Sequence, residues 1–354
     1  MILAGGTGGH VFPGLAVANE LRRLGRPVVW MGTHRGIEAS VVPAAGIAVE
    51  WVNIGGIRGR GLTSWLAAPV RLARALWQAL AILTRVKPAA VLGMGGFVSG
   101  PGGVAAWLTR RPLLIHEQNS VAGTTNRLLA RIASVVFEAF PGSFSGSCRA
   151  IQVGNPVRPA LRELDDPAQR FASRLPGQPR HLLILGGSQG ARSLNETLPQ
   201  ALALLPAAIR PEVWHQTGRA AAQVRQAYAA VGVAATVSEF IEDMAVAYAW
   251  ADLAVCRAGA LTLAELAAVG LGSILVPYPY AIDDHQLKNA EFFVRRGAAE
   301  LVVEAQLNAK TLSESLRQLL GQRDRLVELA RVSRSLDYPS AAEQVAAACV
   351  GAAR

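Results

Sequence analysis

Lysine is nearly missing from this chain: three of its 35 basic residues are lysine and the rest are arginine. Cysteine is scarce too. Cys148, Cys256 and Cys349 are widely spaced, with no CxxC pair and no even framework, which excludes a disulfide scaffold and predicts reduced thiols in a cytoplasmic protein. Aromatics make up 6%, and no RNA-binding signature or zinc spacing accompanies them, so no nucleic-acid partner is expected. No run of ~20 apolar residues exists, so nothing is expected to span a bilayer. No signal peptide is visible, and the start in an apolar run is abrupt enough to predict missing residues upstream of Met1. D-x-D, HExxH and Cys/His clusters are lacking, and in the pairs Asp165-Asp166 and Asp283-Asp284 adjacent side chains point apart. No metal site and no cofactor are expected.

What is present is glycine, apolar residues and positive charge in one half. With 354 residues, 51% of them hydrophobic, the chain can bury two α/β cores. Residues 1–155 carry 15 basic against 5 acidic side chains, whereas residues 156–354 carry 20 of each. The whole net charge of +10 therefore belongs to the first half, which predicts an anionic membrane surface or a phosphorylated substrate there.

Three apolar runs end in glycine turns. Met1–Ala4 leads into Gly5-Gly6-Thr7-Gly8-Gly9-His10, Ala89–Leu92 into Gly93-Met94-Gly95-Gly96, and His181–Leu185 into Gly186-Gly187-Ser188-Gln189-Gly190. Strand, glycine turn and helix start bring backbone N–H groups and a positive dipole end against an anion. None of the turns fits G-x-G-x-x-G or carries a Walker lysine, which removes support from dinucleotide and P-loop readings. The first and third turns lie half a chain apart, each opening its own α/β run, and predict two similar domains. His10 sits at the mouth of the first turn, as a titratable group or as a helix-cap histidine.

The remaining segments alternate strand and helix. Gly55–Gly61, glycine-rich and basic, reads as a lip over a cleft. In the helix that follows, Leu66, Val70, Ala73 and Trp77 share a face, with Arg58, Arg60, Arg71, Arg74, Arg85 and Lys87 around it. That is a face for anionic lipid or an ordinary sheet-packing helix. Pro112–Ile115 is a buried strand running into His116-Glu117-Gln118-Asn119, where open α/β sheets bind ligands. Glu117 or His116 can take a proton there and Asn119 can donate to a substrate oxygen; the alternative is a polar turn capping the helix at 124–131. Gly154–Pro159 reads as a hinge and Phe240–Met244 as the start of a short helix. After the strand 252–256, Glu265 is the one acid in an apolar helix. A buried carboxylate needs a partner, either ribose hydroxyls or a salt bridge to Arg257. Without a metal, diphosphate charge has to be met by helix N-termini, backbone amides and side chains such as Arg158 and Ser188.

Taken together, GGTGGHVFPGLAVA, GMGGFVSGPGG, HEQN, GNPVR, GGSQGA, CRAGALTLAE and DDHQLKNA occur in this order from Ala4 to about Ala299. This set resembles the MurG family, the cell-wall glycosyltransferases that move N-acetylglucosamine (GlcNAc) from UDP-GlcNAc onto lipid I to make lipid II. The resemblance implies an α/β GT-B fold, two Rossmann-like parallel-sheet domains facing across a cleft. It places an acceptor and membrane-associating domain at 1–156, a UDP-GlcNAc domain at 157–335, and a C-terminal helix at 336–354 crossing back to the first domain. It implies that Thr7, Gly8 and Gly9 approach the donor sugar or diphosphate, Asn119 the sugar, Arg158 and Ser188 the diphosphate, and Ile241 the uracil. Ala260, Leu261, Thr262, Leu263, Ala264 and Glu265 would form the donor pocket, with Glu265 on the ribose, and Gln286 would read a GlcNAc hydroxyl. Gly95, Gly96, His116 and Asn126 fall on the acceptor side. His10 and Glu117 are the two candidates for deprotonating the muramoyl 4-hydroxyl, in a direct, inverting, metal-independent displacement. The implied acceptor is the undecaprenyl-diphosphate-linked MurNAc-pentapeptide, and the implied location is peripheral, on the cytoplasmic face of the bacterial plasma membrane. Peptidoglycan synthesis, cell shape and cell division are the implied context, with other cell-wall synthesis or division proteins as candidate partners. Two departures stand out: Phe97 where a tyrosine is expected, and the stretch Tyr278–Asp284.

Three other classes share some of these features. A UDP-sugar epimerase has no need of a lipid-seeking basic face, and an NAD-dependent oxidoreductase wants the missing G-x-G-x-x-G. A non-catalytic nucleotide-sugar binder has no use for His10 and Glu117.

Overall fold

The computed structural model describes residues 1–54, 68–144, 146, 148–175, 178–187, 190–281 and 284–353. The chain divides into two units, Met1–Arg158 with Tyr338–Arg354, and Pro159–Asp337.

The first unit is built on seven parallel strands, β1 (Ile2–Ala4), β2 (Val29–Gly32), β3 (Ala48–Trp51), β4 (Val91–Gly95), β5 (Leu113–Glu117), β6 (Val135–Glu138) and β7 (Ile151–Gln152), in the order β3-β2-β1-β4-β5-β6-β7. Its helices are α1 (Gly8–Arg23), α2 (Glu38–Ala44), α3 (Ala68–Val86), α4 (Ser99–Leu108) and α5 (Thr124–Leu129). Side chains alternate across the sheet, as strand geometry demands. Ile2, Ala4, Trp30, Leu92 and Leu114 pack with Val11, Val17 and Leu21 of α1. Leu3, Met31, Val91, Leu113 and Ile115 pack on the other face with Ala75, Ala79 and Leu83 of α3 and with Ala105 and Ala106 of α4. Burial on both faces explains why these strands read as continuous apolar runs.

The second unit carries α6 (Pro167–Ala172), β8 (His181–Leu185), α7 (Arg192–Ala203), β9 (Glu212–Gln216), α8 (Ala221–Ala230), β10 (Thr236–Ser238), α9 (Met244–Trp250), β11 (Leu253–Cys256), α10 (Ala260–Val269), β12 (Ser273–Leu275), α11 (His285–Val294), β13 (Ala299–Leu301), α12 (Ala309–Leu320) and α13 (Arg323–Arg334). Its parallel sheet runs β10-β9-β8-β11-β12-β13. Leu182 and Ile184 of β8 pack with Leu194 and Leu198 of α7 and with Leu312 and Leu316 of α12. The final helix, α14 (Ala341–Ala352), belongs to the first unit, where Val345, Ala346 and Cys349 join the α1 side of the core.

Several elements depart from the sequence reading. β4 continues through Gly93 and Met94, so the second glycine turn is confined to Gly95 and Gly96. The short helix near 240 begins only at Met244, because Asp243 accepts hydrogen bonds from the Ala245 and Val246 amides and caps it there. α11 occupies the end of a polar stretch that carried no helical expectation, and β13 is an edge strand too short to show a pattern. Among the described residues no helix is long and apolar enough to cross a membrane.

Candidate functional site

In both sheets the strand order reverses beside the first strand of the unit, between β1 and β4 and between β8 and β11. Such switch points are where doubly wound sheets bind ligands, outside the carboxyl ends of the strands. The three glycine turns all follow strands flanking these two points.

In the first unit, the β1 and β4 turns lie side by side. The ladder between the strands shifts register, pairing Leu3 with Gly93 and Ala4 with Gly95, as a bulge does. Ser99 ties the turns together: it accepts the Gly95 N–H at 3.0 Å, and its hydroxyl lies 3.0 Å from the Leu3 carbonyl. Gly96 has φ +82°, and a Cβ there would overlap the Gly5 carbonyl, so only glycine allows this approach. Thr7 is the N-cap of α1 and makes no side-chain cap bond, and Gly8 and Gly9 form the first turn at the positive end of the dipole.

His10 is half-buried in that first turn. Its Nδ1 lies 2.9 Å from Gln118 Oε1. Gln118 Nε2 lies 3.1 Å from His116 Nδ1, and His116 Nε2 is 2.9 Å from the Gly154 carbonyl. His116 is fully buried, and desolvation drives its pKa down to about 4. Glu117, one residue along, turns to other partners. One of its oxygens accepts the Asn119 amide N–H at 3.0 Å and the Asn119 side-chain amide at 3.2 Å. The other accepts the Gly123 N–H at 3.1 Å and the Asn126 side-chain amide at 2.8 Å. With 2% exposure and donors on both oxygens, Glu117 ties the end of β5 to the start of α5. The alternative of a polar turn leading into this helix is thus part of the observed geometry. Arg158 places its guanidinium over the Phe12 ring, 5.7 Å from the centroid.

In the second unit, Gln216 holds the β8 turn, accepting the Gly187 N–H at 3.0 Å and donating to the Gly187 carbonyl. Ser188 lies outside the described residues. α7 and α10 both begin at this edge without a side-chain cap, after Ala191 and Gly259. Residues Ala260–Glu265 form the first part of α10, with Ala260 and Leu263 buried and Leu261, Thr262 and Ala264 half-buried. Glu265 is 7% exposed and accepts the hydroxyl of the fully buried Tyr248 at 3.0 Å. The expected alternative partner, Arg257, is committed elsewhere. It pairs with Glu304, donates to the Val276 carbonyl, and stacks over Tyr278. Gln286 Oε1 accepts the Tyr278 N–H at 2.9 Å, anchoring α11 to the end of β12, and Ile241 is buried. Of the two departures, Phe97 is exposed, as are Tyr278 and Tyr280, whose rings meet edge to face at 5.6 Å.

The sequence reading missed three polar residues. Gln118 stood in the polar cluster without a role. Glu38 is fully buried beneath the first turn, accepting the Gly6 N–H at 2.9 Å and the Thr33 hydroxyl at 2.7 Å. Tyr248 gave no signal beyond an aromatic in a short helix. Among the described residues no group of three or more His, Cys, Asp or Glu side chains is placed to hold a metal ion.

On α3, the buried residues are Ala68, Ala75, Ala79, Ile82 and Leu83. Val70 and Trp77 are 71% and 70% exposed, and Arg71, Ala73 and Arg74 are exposed as well. The two faces are therefore distinct, and the apolar set singled out in the sequence is not the one that packs on the sheet. Leu66 and the 55–61 stretch, with Arg58 and Arg60, lie outside the described residues.

Two doubly wound parallel sheets in one chain are the GT-B arrangement, the fold class this protein shares. Family models match both halves: the glycosyltransferase family 28 N-terminal domain over residues 1–138 and its C-terminal domain over residues 181–345. The chain belongs to glycosyltransferase family 28 and, within it, to the MurG family. It is 56% identical over 351 residues, 99% of this chain and 97% of the other, to the UDP-N-acetylglucosamine--N-acetylmuramyl-(pentapeptide) pyrophosphoryl-undecaprenol N-acetylglucosamine transferase of Nitrosococcus oceani. Acinetobacter baumannii MurG superposes with a TM-score of 0.84 at 38% identity, covering 99% of each chain. A UDP-GlcNAc 2-epimerase from Neisseria meningitidis superposes with a TM-score of 0.69 at 16% identity, over 99% of this chain and 98% of that one, and shares the fold alone.

Proposed function

We propose that this protein transfers GlcNAc from UDP-GlcNAc to the 4-hydroxyl of the MurNAc sugar of lipid I, forming lipid II. The observation that carries this reading is 56% identity along 99% of the chain to a protein named for that reaction. The second unit takes the donor. Glu265 bonds the ribose, Ile241 lies by the uracil, Gln286 reads a sugar hydroxyl, and the N-termini of α7 and α10 meet the diphosphate with Ser188. The first unit takes the acceptor along Gly95, Gly96, His116 and Asn126, with Thr7, Gly8, Gly9 and Asn119 reaching the donor sugar.

His10 is the base. Its ring stands at the mouth of the turn with Nδ1 engaged by Gln118, whereas both oxygens of Glu117 already receive protein donors. His10 takes the proton of the 4-hydroxyl as the oxygen attacks the anomeric carbon, the bond to the diphosphate breaks, and UDP departs with inversion. Helix dipoles meet the charge growing on the leaving diphosphate, so the step runs without a metal ion. Acceptor and enzyme meet at the cytoplasmic face of the plasma membrane, where Val70, Trp77, Arg71 and Arg74 of α3 rest on anionic lipid. This peripheral position places the enzyme beside other cell-wall synthesis and division proteins.

The test is incubation of the purified protein with UDP-GlcNAc and a lipid I analogue. Transfer of GlcNAc is the expected result. Formation of UDP-ManNAc would make the protein an epimerase, and tight donor binding without turnover would make it a nucleotide-sugar binder.

A further inference from the structure

The chain of hydrogen bonds from Gly154 to His10 has a direction, and it is set at its buried end. A carbonyl can only accept, so His116 Nε2, 2.9 Å from the Gly154 oxygen, carries the proton. His116 is fully buried and, with its pKa at about 4, holds a single proton at neutral pH. Its Nδ1 is then a lone pair and needs a donor, which the Gln118 NH2 supplies at 3.1 Å. The same NH2 reaches the His116 carbonyl at 3.2 Å, and the Gln118 main-chain carbonyl accepts from Asn155 at 3.0 Å. Gln118 is 1% exposed, and turning its amide over would set its oxygen against the His116 Nδ1 lone pair and the His116 carbonyl, two acceptors, in a low-dielectric interior. An amide has one nitrogen and one oxygen. With nitrogen committed to His116, oxygen faces His10 Nδ1 at 2.9 Å, and an oxygen requires that nitrogen to donate.

We propose that Gln118 is a positioning residue that holds His10 as its Nδ1–H tautomer and thereby presents Nε2 as the proton acceptor. The logic is that of the orienting group behind a catalytic histidine, built here from a neutral amide and a second, buried imidazole instead of a carboxylate. A neutral partner fixes the tautomer without adding a negative charge beside a site that must receive a diphosphate. Gly95 supports the arrangement from the side: a Cβ there would come within 2.6 Å of His10 Nδ1, so the turn after β4 leaves room for this ring position. The proposal rests on His10 being the base, but the tautomer is measurable without any substrate.

The experiment is nitrogen-15 NMR of the full chain labelled at histidine, with His10→Ala to assign the resonance, alongside steady-state kinetics. In the wild-type protein, His10 Nδ1 should be of the protonated, pyrrole type and Nε2 of the pyridine type. Gln118→Met, which keeps the side-chain length and removes the hydrogen bonds to both histidines, should move His10 toward Nε2–H. It should lower kcat by about tenfold or more, short of the roughly 10²–10⁴-fold lost with a general base itself, with the UDP-GlcNAc KM within about twofold of wild type. Nε2–H at His10 in the wild-type protein overturns the proposal, whether or not the variant folds. An unchanged tautomer in a folded Gln118→Met overturns it as well. Nδ1–H at His10 in a protein that transfers no sugar would leave the positioning intact and refute the transferase reading instead.

Discussion

Replacing Glu265 with glutamine probes ribose recognition at the least steric cost. The side chain is 7% exposed and its Oε2 accepts the Tyr248 hydroxyl at 3.0 Å. Glutamine keeps the length, the volume and one oxygen for Tyr248, and it loses the carboxylate. Hydrogen bonds to charged groups contribute about 1.5–3 kcal/mol against about 0.5–1.5 for neutral ones. Two ribose hydroxyls meeting an amide instead should therefore lose about 1–3 kcal/mol together, which is roughly 5- to 150-fold in Kd. Titration calorimetry with UDP-GlcNAc measures that loss directly. Repeating it with UDP and 2′-deoxy-UDP on both proteins closes a double-mutant cycle and isolates the contact with the hydroxyl from any general loosening of α10. Tyr248→Phe serves as the control, since it removes a hydroxyl that orients Glu265 and should cost about 1 kcal/mol or less in donor binding. If Glu265→Gln binds UDP-GlcNAc as tightly as wild type, or loses the same factor for UDP and its deoxy analogue, the carboxylate does not read the ribose.

His10→Ala should cut turnover by roughly 10²–10⁴-fold while leaving the donor Kd within about twofold; near-normal turnover would return the role of base to Glu117. Reversing Arg71 and Arg74 to glutamate should weaken binding to anionic vesicles by about 30-fold or more, from about 1 kcal/mol of attraction lost at each position. A vesicle co-sedimentation assay showing full retention would place the membrane contact away from α3. Acid should destabilise the fold through two buried histidines, His116 with its pKa lowered to about 4 and His215 to about 3, both by desolvation. Below the unfolded value near 6.5 the unfolded chain binds protons that the folded one refuses. Stability is thus fully present above about pH 6.5 and falls toward pH 4, by about 3 kcal/mol for His116 alone. Urea midpoints should drop over that window, His116→Gln should flatten the drop, and a midpoint independent of pH would contradict the neutral His116 on which the direction of the hydrogen-bond chain depends.

The amino-acid sequence by itself determined two α/β units with strands covered on both faces, because such strands must be apolar throughout and β1, β5 and β8 read that way without any partner in view. The doubly wound order was implied only by the motif resemblance and is read from the strand order. The sequence also pointed to the glycine turns between an apolar run and a helix as the places where such folds would take ligands, and it marked His10, the 116–119 cluster and Glu265 as the polar exceptions. It separated Val70, Ala73 and Trp77 as a common helical face, and the buried set on α3 proves to be a different one. What the tertiary structure decided was who satisfies whom. Glu117 meets Asn119, Gly123 and Asn126, Arg257 meets Glu304 rather than Glu265, and Glu38 lies under Gly6. Gln118 meets a histidine 108 positions away. Buried polar groups must find partners, and local patterning says that they must without saying which. In a parallel sheet the partners come from strands that are neighbours in space and distant along the chain, so the order of the strands, and not the spacing of the residues, made Gln118 the link between His116 and His10.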